Sequence, residues 1–491
     1  MTDPVSNSSP TCLGERAFDA ADQLWFAQLS FDVNPMHTDG VAARRLLSGR
    51  QVVHGMHLLI QAIDLWQAPA DRRPMAMTCS FDHPVSVGDR VQFSQTLTTA
   101  ERCVIQARVD GLVCTELDIE LGPTAHTANT ANTALAPALA ACTAQALGGL
   151  QAPLDESAPS WPGRRVVLPA QADEAALAAR YPTAARAMSP GALTALAGLS
   201  YFVGMVCPGL HSVFSSLSFR LPQPVPDAGR LLLEVIRYDP RFRLFTVAFE
   251  GGLQGQLRAF QRPAPQAQPS ALALKVHVRE AEFRGVHALV IGGSRGLGEL
   301  CAKLLAVGGA QVLLTYAQGQ ADAQRVADDI ALAGEGGCST LALDLSSQAF
   351  EALAVDVDSL SSVYYFATPR IYSKRAALFD AQVFDGFCHF YLRRFHELCL
   401  WLETRGVEPK VKVYLPSTVF ITKRPKGIAE YAMAKAAAEV LAADLNRQLR
   451  RVEVIFTRLP RLATDQTSAI MAAATDSNVE VLLPLLRQIH G

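Results

Sequence analysis

The stretch GMHLLIQAIDLW, residues 55–66, is long enough for a helix and apolar on nearly every side. A surface helix keeps a polar face toward water, so a helix of this composition has to be enclosed by other elements. The pattern predicts a helix over 52–66. A sheet that wraps around this helix is predicted from alternating apolar and polar residues, in strands near 75–81, 90–99, 102–109 and 112–121.

The same order of elements occurs a second time. An apolar helix near 191–206 opens with Pro190-Gly191, as the first opens with His54-Gly55. The turns SFDHPVSVGDRV and LSFRLPQPVPDAGRL hold the same place in each copy. The chain is therefore predicted to contain two copies of one plan. The strands of the second copy are expected near 213–219, 230–238, 242–250 and 252–260.

Two stretches have the composition of linkers. Residues 123–162 are rich in Ala, Thr, Pro and Gly, with a short Ala-rich helix predicted near 134–147, and residues 262–272 are rich in Pro, Gln and Ala. They predict three domains, which span 14–122, 163–261 and 283–491.

Bulk composition excludes several classes of protein. The net charge of −2 leaves no basic surplus for nucleic acid. No 18-residue stretch is free of polar interruption, and the chain does not open with a basic then apolar segment, so we expect neither a membrane span nor a signal peptide. The ten cysteines are scattered without a CxxC pair. We therefore expect a cytoplasmic protein with no disulfide framework and no metal site.

The segment FDVNPMHTD, residues 31–39, predicts half of an active site. Asn34-Pro35 forces an extended or turn conformation, which can bring Asp32 and His37 to one side of a loop. A carboxylate and an imidazole side by side can hold a water and exchange protons with it. Gly55 opens the buried helix, and its N–H could polarise a thioester carbonyl. The alternative is an Asx turn followed by a solvated histidine.

The first copy resembles the MaoC-like, R-specific enoyl-CoA hydratases in FAQLSFDVNPMHTD, QVVHGM and SFDHPVSVGDRV. The resemblance implies a hotdog fold with Asp32 and His37 as the catalytic pair. Family members carry a hydroxyl residue after HGM at a place that corresponds to Ile60. The second copy is similar to a weaker hotdog without the acid–base pair. The pair thus resembles a double hotdog in which 163–261 has a structural role.

The third segment opens with HALVIGGSRGLGELCAKLL, a strand, a glycine loop and a helix. Backbone N–H groups in such a loop, with the helix N-terminus, can cradle a pyrophosphate. Gly292, Gly296 and Gly298 fit GxxxGxG. Further strands are predicted at LALDLSS, VYYFATP and VKVYLPST, which predicts a Rossmann, doubly wound parallel sheet.

A helical run then places Tyr431 and Lys435 at positions i and i+4, on one face. An ammonium close to a phenol favours phenolate, and such a tyrosine can pass a proton to a carbonyl oxygen while hydride arrives from a nicotinamide. Ser417, at the end of a strand, would hold the same oxygen. The alternative for YxxxK by itself is an ordinary helix with a surface lysine.

Together these motifs resemble the short-chain dehydrogenases/reductases over about 284–467, and especially 3-oxoacyl-thioester reductases. The family's asparagine of the fourth helix corresponds to Tyr391, and its NNAG run to YFAT. Its last strand and substrate-capping helix are expected to be shortened or absent. The resemblance implies a cofactor site formed by Gly292, Ser294, Arg295, Gly296, Gly298, Tyr316, Asp344, Ala367, Lys435 and Thr464.

Charge favours NADP(H) over NAD(H). The second strand ends at Leu314-Thr315-Tyr316-Ala317 without the acid that usually holds a free ribose hydroxyl. Arg295 in the glycine loop is a cation suited to a 2′-phosphate.

The sequence supports three hypotheses. The first is a bifunctional enzyme, a reductase of 3-oxoacyl thioesters joined to a dehydratase, acting on substrates carried by coenzyme A or an acyl carrier protein. The second keeps the reductase and makes the double hotdog a binding or assembly module, with Ile60 in its favour. The third is a non-enzymatic cofactor-binding scaffold. We expect a homodimer through helices around 375–402 and 428–450, by analogy with the family.

Overall fold

The computed structural model of the chain describes residues 10–46, 48–124, 145–168, 172–221, 230–371, 379–406, 408–467 and 475–491. The described residues up to Ala264 form one compact unit, and those from Pro265 form another.

The first unit is built on an eleven-stranded sheet in the order β1-β3-β4-β5-β2-β8-β11-β10-β9-β7-β6. Strands β2 and β8 pair antiparallel at its centre, where Met77 lies opposite Phe219. Outward from this junction, β5, β4, β3 and β1 on one side correspond to β11, β10, β9 and β7 on the other. The two sequence copies therefore supply the two halves of one sheet. The strands are β1 Thr11–Ala17, β2 Arg72–Phe81, β3 Arg90–Thr98, β4 Arg102–Val109, β5 Leu112–Pro123, β6 Gln145–Ala146, β7 Arg165–Leu168, β8 Ser212–Arg220, β9 Leu231–Asp239, β10 Leu244–Gly251 and β11 Gln254–Gln261.

The helices of the first unit include the two predicted apolar helices. The first begins at Gly55 rather than at residue 52, because Val52 bridges to Ser86 and the following residues are extended. The second is followed directly by a π-helical turn, Phe202–Val206. The Ala-rich helix predicted near 134–147 lies mostly outside the described residues, and Gln145–Ala146 form a strand there. The helices are α1 Ala20–Ser30, α2 Pro35–Thr38, α3 Gly40–Ala43, α4 Gly55–Leu65, α5 Glu174–Arg180, α6 Pro182–Met188 and α7 Pro190–Tyr201.

The second unit has a six-stranded sheet in the order β14-β13-β12-β15-β16-β17, with every pair parallel. This is the 3-2-1-4-5-6 order of dinucleotide-binding sheets. The predicted third strand lies earlier than expected, so Asp344 follows its end instead of closing it. The strands are β12 His287–Ile291, β13 Gln311–Tyr316, β14 Gly337–Ala342, β15 Ser362–Tyr365, β16 Val411–Thr418 and β17 Val452–Leu459.

Alternate residues of β12 enter two separate hydrophobic clusters. Ala288 and Val290 pack in one cluster, and Leu289 and Ile291 in the other, because successive side chains of a strand point to opposite faces. Among the described residues no strand follows β17. The helix Asn478–His490 instead packs in the same cluster as Ala288. The helices are α8 Ala271–Leu274, α9 Gly296–Val307, α10 Gln320–Ala333, α11 Ala381–Cys388, α12 Phe395–Glu403, α13 Phe420–Lys423, α14 Ala429–Gln448 and α15 Asn478–His490, with a π-helical segment, His389–Arg394, between α11 and α12.

By length and composition, no single helix of the described residues could cross a membrane. One bent pair, Pro182–Met188 with Pro190–Val206, reaches that length and hydropathy only when its two arms are joined across a 103° bend.

Candidate active site

The loop that carries Asp32 and His37 is shaped by local chemistry. Phe31 adopts a left-handed conformation at the end of α1, with φ of 61°. The Asn34 side chain accepts from the Met36 amide at 3.1 Å, and Pro35 occupies the first turn of α2. Pro at this position costs nothing, since its missing N–H would have no helical partner. The sharp turn predicted from Asn34-Pro35 is present, and it leaves both Asp32 and His37 buried.

His37 is held as a neutral imidazole. Its Nδ1 lies 2.8 Å from the carbonyl oxygen of Val52, so Nδ1 carries the proton and donates. Its Nε2 has no hydrogen-bond partner among the described residues. Burial lowers the pKa of His37 to about 4. The side chain thus presents an unprotonated Nε2 near neutral pH, as a general base requires.

The pKa of Asp32 is shifted in the opposite direction from that of His37. Its Oδ2 accepts from the Ser200 hydroxyl at 2.8 Å, and its Oδ1 accepts from the Asn34 amide at 3.3 Å. Both bonds favour the carboxylate, but burial outweighs them and raises the pKa of Asp32 to about 7. Asp32 can therefore hold a proton that its ordinary pKa would not allow.

His54 links this pair to α1. Its ring stacks on His37 with centroids 3.9 Å apart. Its Nδ1 lies 2.9 Å from Oε1 of Gln23, and its Nε2 lies 3.0 Å from the backbone oxygen of Asp32. Burial lowers its pKa. His54 is thus a positioning residue at the entry of α4, a role the sequence indicated only as helix entry.

Asp32, His37 and His54 offer potential metal-ligand atoms within 4.8 Å of one another. The two imidazoles are stacked with an interplanar angle of 23°. Nδ1 of His37 already faces the oxygen of Val52, and the two ring nitrogens of His54 face oxygens of Gln23 and Asp32. An ion that took all three residues as ligands would therefore have to displace one contact of His54.

Gly55 follows His54 directly and opens α4, where the first amides have no helical acceptor. A Cβ at this position would lie 3.2 Å from the Phe81 ring, so the backbone is closely covered. Ile60 is fully buried in apolar core. The hydroxyl expected from the family is therefore absent from that place in α4.

The second half of the unit supplies groups that sequence reasoning assigned no role. Ser200 of α7 bonds Asp32, and the Asn34 side chain donates to the carbonyl oxygens of Gly204 and Gly209 at 2.8 and 3.1 Å. Arg262 donates to Leu210 at 2.9 Å and contributes to the lowered pKa of His37. The signal for Ser200 in the sequence was weak, because the largely apolar helix α7 also carries the hydroxyl residues Thr194 and Tyr201.

In the second unit, the glycine loop after β12 fits a pyrophosphate. Gly292 has φ of 79°, a left-handed conformation that favours glycine, and a Cβ there would lie 2.8 Å from the Ala367 amide nitrogen. A Cβ on Gly298 would lie 2.3 Å from the oxygen of Gly292. Thr464 approaches the same loop, 3.9 Å from a Cβ built on Gly296. These predicted cofactor residues surround one cradle, which would be filled if Gly292 or Gly298 carried a side chain.

The other predicted cofactor residues lie along the same sheet edge. Ser294 is buried in the loop. Arg295 is the residue before α9, and its guanidinium lies 3.5 Å from the carboxylate of Asp465. Tyr316 ends β13. Asp344 follows β14 and accepts from the amide and hydroxyl of Ser346, which lowers its pKa.

Lys435 is buried, one helical turn after Tyr431 on α14. Its Nζ donates to the oxygen of Pro416 at 2.7 Å and lies 3.7 Å from the centre of the Tyr391 ring. The Tyr431 ring packs edge-on against Tyr391, with centroids 6.0 Å apart. Burial lowers the pKa of Lys435 to about 7, although Glu439 opposes this shift. Lys435 is therefore poised to gain or lose a proton near neutrality.

Tyr391 and the YFAT run, the two places where the sequence differs from the reductases it resembles, contact each other. The hydroxyl of Tyr391 bonds that of Thr368, the last residue of YFAT. Tyr391 thus occupies the space beside Lys435 with an aromatic face, where a cation is attracted.

Ser417 is engaged away from Tyr431. Its hydroxyl donates to Glu439, which is itself held by two bonds from Arg458 at 2.8 and 2.6 Å. Glu439 lies two helical turns beyond Tyr431 on α14. Ser417 has to exchange this bond before it can hold a substrate oxygen.

Comparisons with known proteins found a family model for part of the first unit and a set of similar solved structures. Residues 5–110 match the family model described as MaoC like domain. The search of curated proteins gave no match.

Solved structures similar to this chain include two that are described as short-chain dehydrogenases. One from Burkholderia cenocepacia, in complex with NADP, is 20% identical over 42% of this chain and 91% of its own, with a TM-score of 0.35. One from Salmonella enterica is 19% identical over 43% and 93%, with a TM-score of 0.37. Pseudomonas aeruginosa RhlG with NADP is 21% identical over 38% and 77%, with a TM-score of 0.33. Residues 5–110 of this chain are a MaoC-like domain, and its neighbours among solved structures include short-chain dehydrogenases/reductases.

Proposed function

We propose that the chain is a bifunctional enzyme of acyl thioesters. Its second unit, a doubly wound Rossmann domain, reduces a 3-oxoacyl thioester with NADPH. Its first unit, a double hotdog, interconverts the (R)-3-hydroxyacyl and trans-2-enoyl thioesters. The observation that carries the proposal is the buried pair Asp32 and His37, whose environments invert the usual order of their pKa values within a MaoC-like domain.

Inverted pKa values assign the roles in dehydration. The Nε2 of neutral His37 takes the proton from C2, and the electron pair of that C–H bond forms the C2–C3 double bond. The C3–O bond breaks, and the hydroxyl leaves as water with the proton of Asp32. The Gly55 amide donates to the thioester oxygen, where negative charge develops. Hydration is the reverse sequence.

This assignment predicts a bell-shaped pH dependence for dehydration. The acid form of Asp32 is present below its pKa of about 7 and is lost as the pH rises through that value. The base form of His37 is lost as the pH falls through about 4. The rate of dehydration is therefore expected to be highest between these values, as measured by thioester absorbance across a pH series. A rate that instead rises through pH 7 would make Asp32 the base. Because the two groups are in one cluster, the limbs report the pair.

In the reductase unit, NADP(H) when bound supplies the hydride. Tyr431 gives its proton to the 3-oxo oxygen. Lys435 then returns a proton to Tyr431, which its pKa of about 7 allows near neutral pH. The cradle of Gly292 and Gly298 holds the pyrophosphate. The guanidinium of Arg295 favours the 2′-phosphate of NADP(H). The C-terminal end of β13 has no acidic residue that would hold the free ribose hydroxyl of NAD(H).

The two activities share one intermediate, the 3-hydroxyacyl thioester. Joining both units in one chain raises the effective concentration of that intermediate at the second site. Use of NADPH directs the sequence toward reduction and then loss of water. The carrier is coenzyme A or an acyl carrier protein.

Mass spectrometry of a 3-oxoacyl thioester, incubated with the full chain and NADPH, tests the proposal. We expect a product that gains two hydrogens and then loses one water. A parallel reaction with NADH is expected to be slower. If the hydroxyacyl thioester is instead the end product, and if the chain also fails to hydrate a 2-enoyl thioester, the first unit is only a binding module. Absence of any reduction would refute the substrate class.

We further propose a homodimer through the helices that flank the reductase site. Met433 and Val440 lie seven residues apart on α14, and 47% and 64% of their surfaces are exposed. Leu400 on α12 is similarly exposed. Exposed apolar side chains on both helices of the predicted interface are suited to contact with a second copy of this chain.

A further inference from the structure

Helix α7 comes from the half of the first unit that lacks an acid–base pair, yet it reaches Asp32. The Ser200 hydroxyl lies 2.8 Å from Oδ2, and the two residues are 168 positions apart in the chain. Ser200 is buried, so water does not compete for this bond. The contact supplies to Asp32 a hydroxyl that α4 does not provide.

Gly204, one helical turn further on, makes room for the same carboxylate. A Cβ on Gly204 would lie 2.1 Å from Oδ1 and 2.5 Å from Cγ of Asp32. Real side chains do not approach so closely, so a Cβ at this position would force the Asp32 carboxylate to shift and to break its contacts. Its second oxygen is bonded to Ser200, and its backbone oxygen contacts His54.

The π-helical turn explains how Gly204 is held there. A π turn shifts the backbone hydrogen bonds from i+4 to i+5 and leaves carbonyl groups available. Cys207 donates to Phe202 in this pattern, at 2.8 Å. The oxygen of Gly204 then accepts from Asn34, and that of Met205 from the Leu154 amide, each at 2.8 Å. The turn is thereby clamped onto the loop of Asp32.

We propose that Ser200 and Gly204 are positioning residues of the acid–base site, so that the second half of the first unit takes part in dehydration. This inference rests on the proposed function and assigns a residue-level role to a half that the sequence indicated as structural. Ser200 fixes the orientation of the Asp32 carboxyl group, and Gly204 provides the space it occupies.

The titratable groups around Asp32 are the ones that could change its pKa besides the hydrogen bond from Ser200. His54, from the loop before α4, lies 4.0 Å from Oδ2, and His37 stacks on His54. The charge of Asp32 also contributes to the raised pKa of Tyr201 in α7. Of the two hydrogen bonds that favour the carboxylate, the one from Ser200 has the larger effect. Removal of this hydroxyl therefore raises the pKa of Asp32.

Ser200→Ala tests the first residue. Dehydration is expected to fall about tenfold, with its alkaline limb moved to higher pH, while KM and NADPH-dependent reduction stay unchanged. A merely structural serine would not move the limb. An unchanged pH profile would overturn the role of Ser200.

Gly204→Ala tests the second residue, with Gly198→Ala as its matched control. A Cβ on Gly198, which lies in α7 shortly before the π-helical turn, would meet only Leu231 at 3.4 Å. Displacement of the Asp32 carboxylate by Gly204→Ala is expected to slow dehydration on the order of 10²-fold. Gly198→Ala is expected to have no effect. Equal rates for the two variants would refute the role of Gly204.

A readout independent of activity separates this inference from the proposed function. In the full chain labelled with ¹³C at aspartate carboxyl carbons, the resonance lost in Asp32→Asn reports its titration. In Ser200→Ala this titration is expected to move to higher pH even if no thioester is turned over. A titration at the wild-type pH would overturn the inference, whereas a shift without dehydratase activity would refute only the proposed function.

Discussion

Replacing Asp32 by Asn is expected to abolish dehydration of a 3-hydroxyacyl thioester and to leave NADPH-dependent reduction intact. Asn has the same shape and still offers an oxygen to the Ser200 hydroxyl, but it cannot deliver a proton to the leaving hydroxyl. Loss of a general acid lowers the rate by about 10²–10⁴-fold. Hydration of a 2-enoyl thioester, followed by its ultraviolet absorbance, measures this directly.

Asp39→Asn is the matched control for this variant. Asp39 lies in the same loop but is exposed, and it caps α3 through the Val41 amide at 2.7 Å. Asn caps helices as well as Asp does, so the loop keeps its shape. We expect wild-type dehydration from Asp39→Asn. Full activity of Asp32→Asn would contradict the assignment of the acid, and equal losses in both variants would indicate damage to the loop.

Tyr431→Phe is expected to abolish reduction and to leave dehydration intact. The substitution removes one hydroxyl while the ring keeps its edge-on contacts with Tyr391 and Phe387. Without that hydroxyl no proton reaches the developing alkoxide, and the rate is expected to fall by about 10²–10⁴-fold. Oxidation of NADPH in the presence of a 3-oxoacyl thioester is the measurement.

Tyr238→Phe makes the same chemical change in the first unit, where Tyr238 packs on Phe245, and it is expected to leave reduction unchanged. Tyr431→Phe should also bind NADPH as the wild type does, by fluorescence titration, because its hydroxyl is not part of the glycine cradle. Reduction that survives in Tyr431→Phe would remove the tyrosine from the mechanism. If wild type and variant alike bind NADPH without oxidising it, the second unit is a cofactor-binding scaffold.

Tyr391 shows how a departure from a family pattern is resolved in three dimensions. The sequence placed a tyrosine where the family has an asparagine, with no indication of what it contacts. In the structure its ring lies under the Lys435 ammonium and its hydroxyl meets Thr368. The two unusual residues thus form one contact, and both were visible in the sequence only as separate anomalies.

The elements of the fold were predictable because their signals are local. Alternation of apolar residues predicted four strands in each half, β2 to β5 and β8 to β11, but not β1, β6 or β7. The glycine spacing predicted the loop at Gly292 and Gly298. The turn at Asn34-Pro35 follows from the fixed geometry of proline and the short side chain of asparagine. Each of these patterns acts through neighbours in the chain, so the sequence by itself determined them.

What only the tertiary structure decided depends on residues far apart in the chain. Pairing of β2 with β8 joins the two halves, and α7 then brings Ser200 and Gly204 to Asp32. Burial, which moves the pKa of Asp32 to about 7 and that of His37 to about 4, likewise has no local signal. The cost of removing water from a charged group is set by everything packed around it. The sequence therefore determined which residues could do the chemistry, and the packing of the second half against the first decided their protonation and their partners.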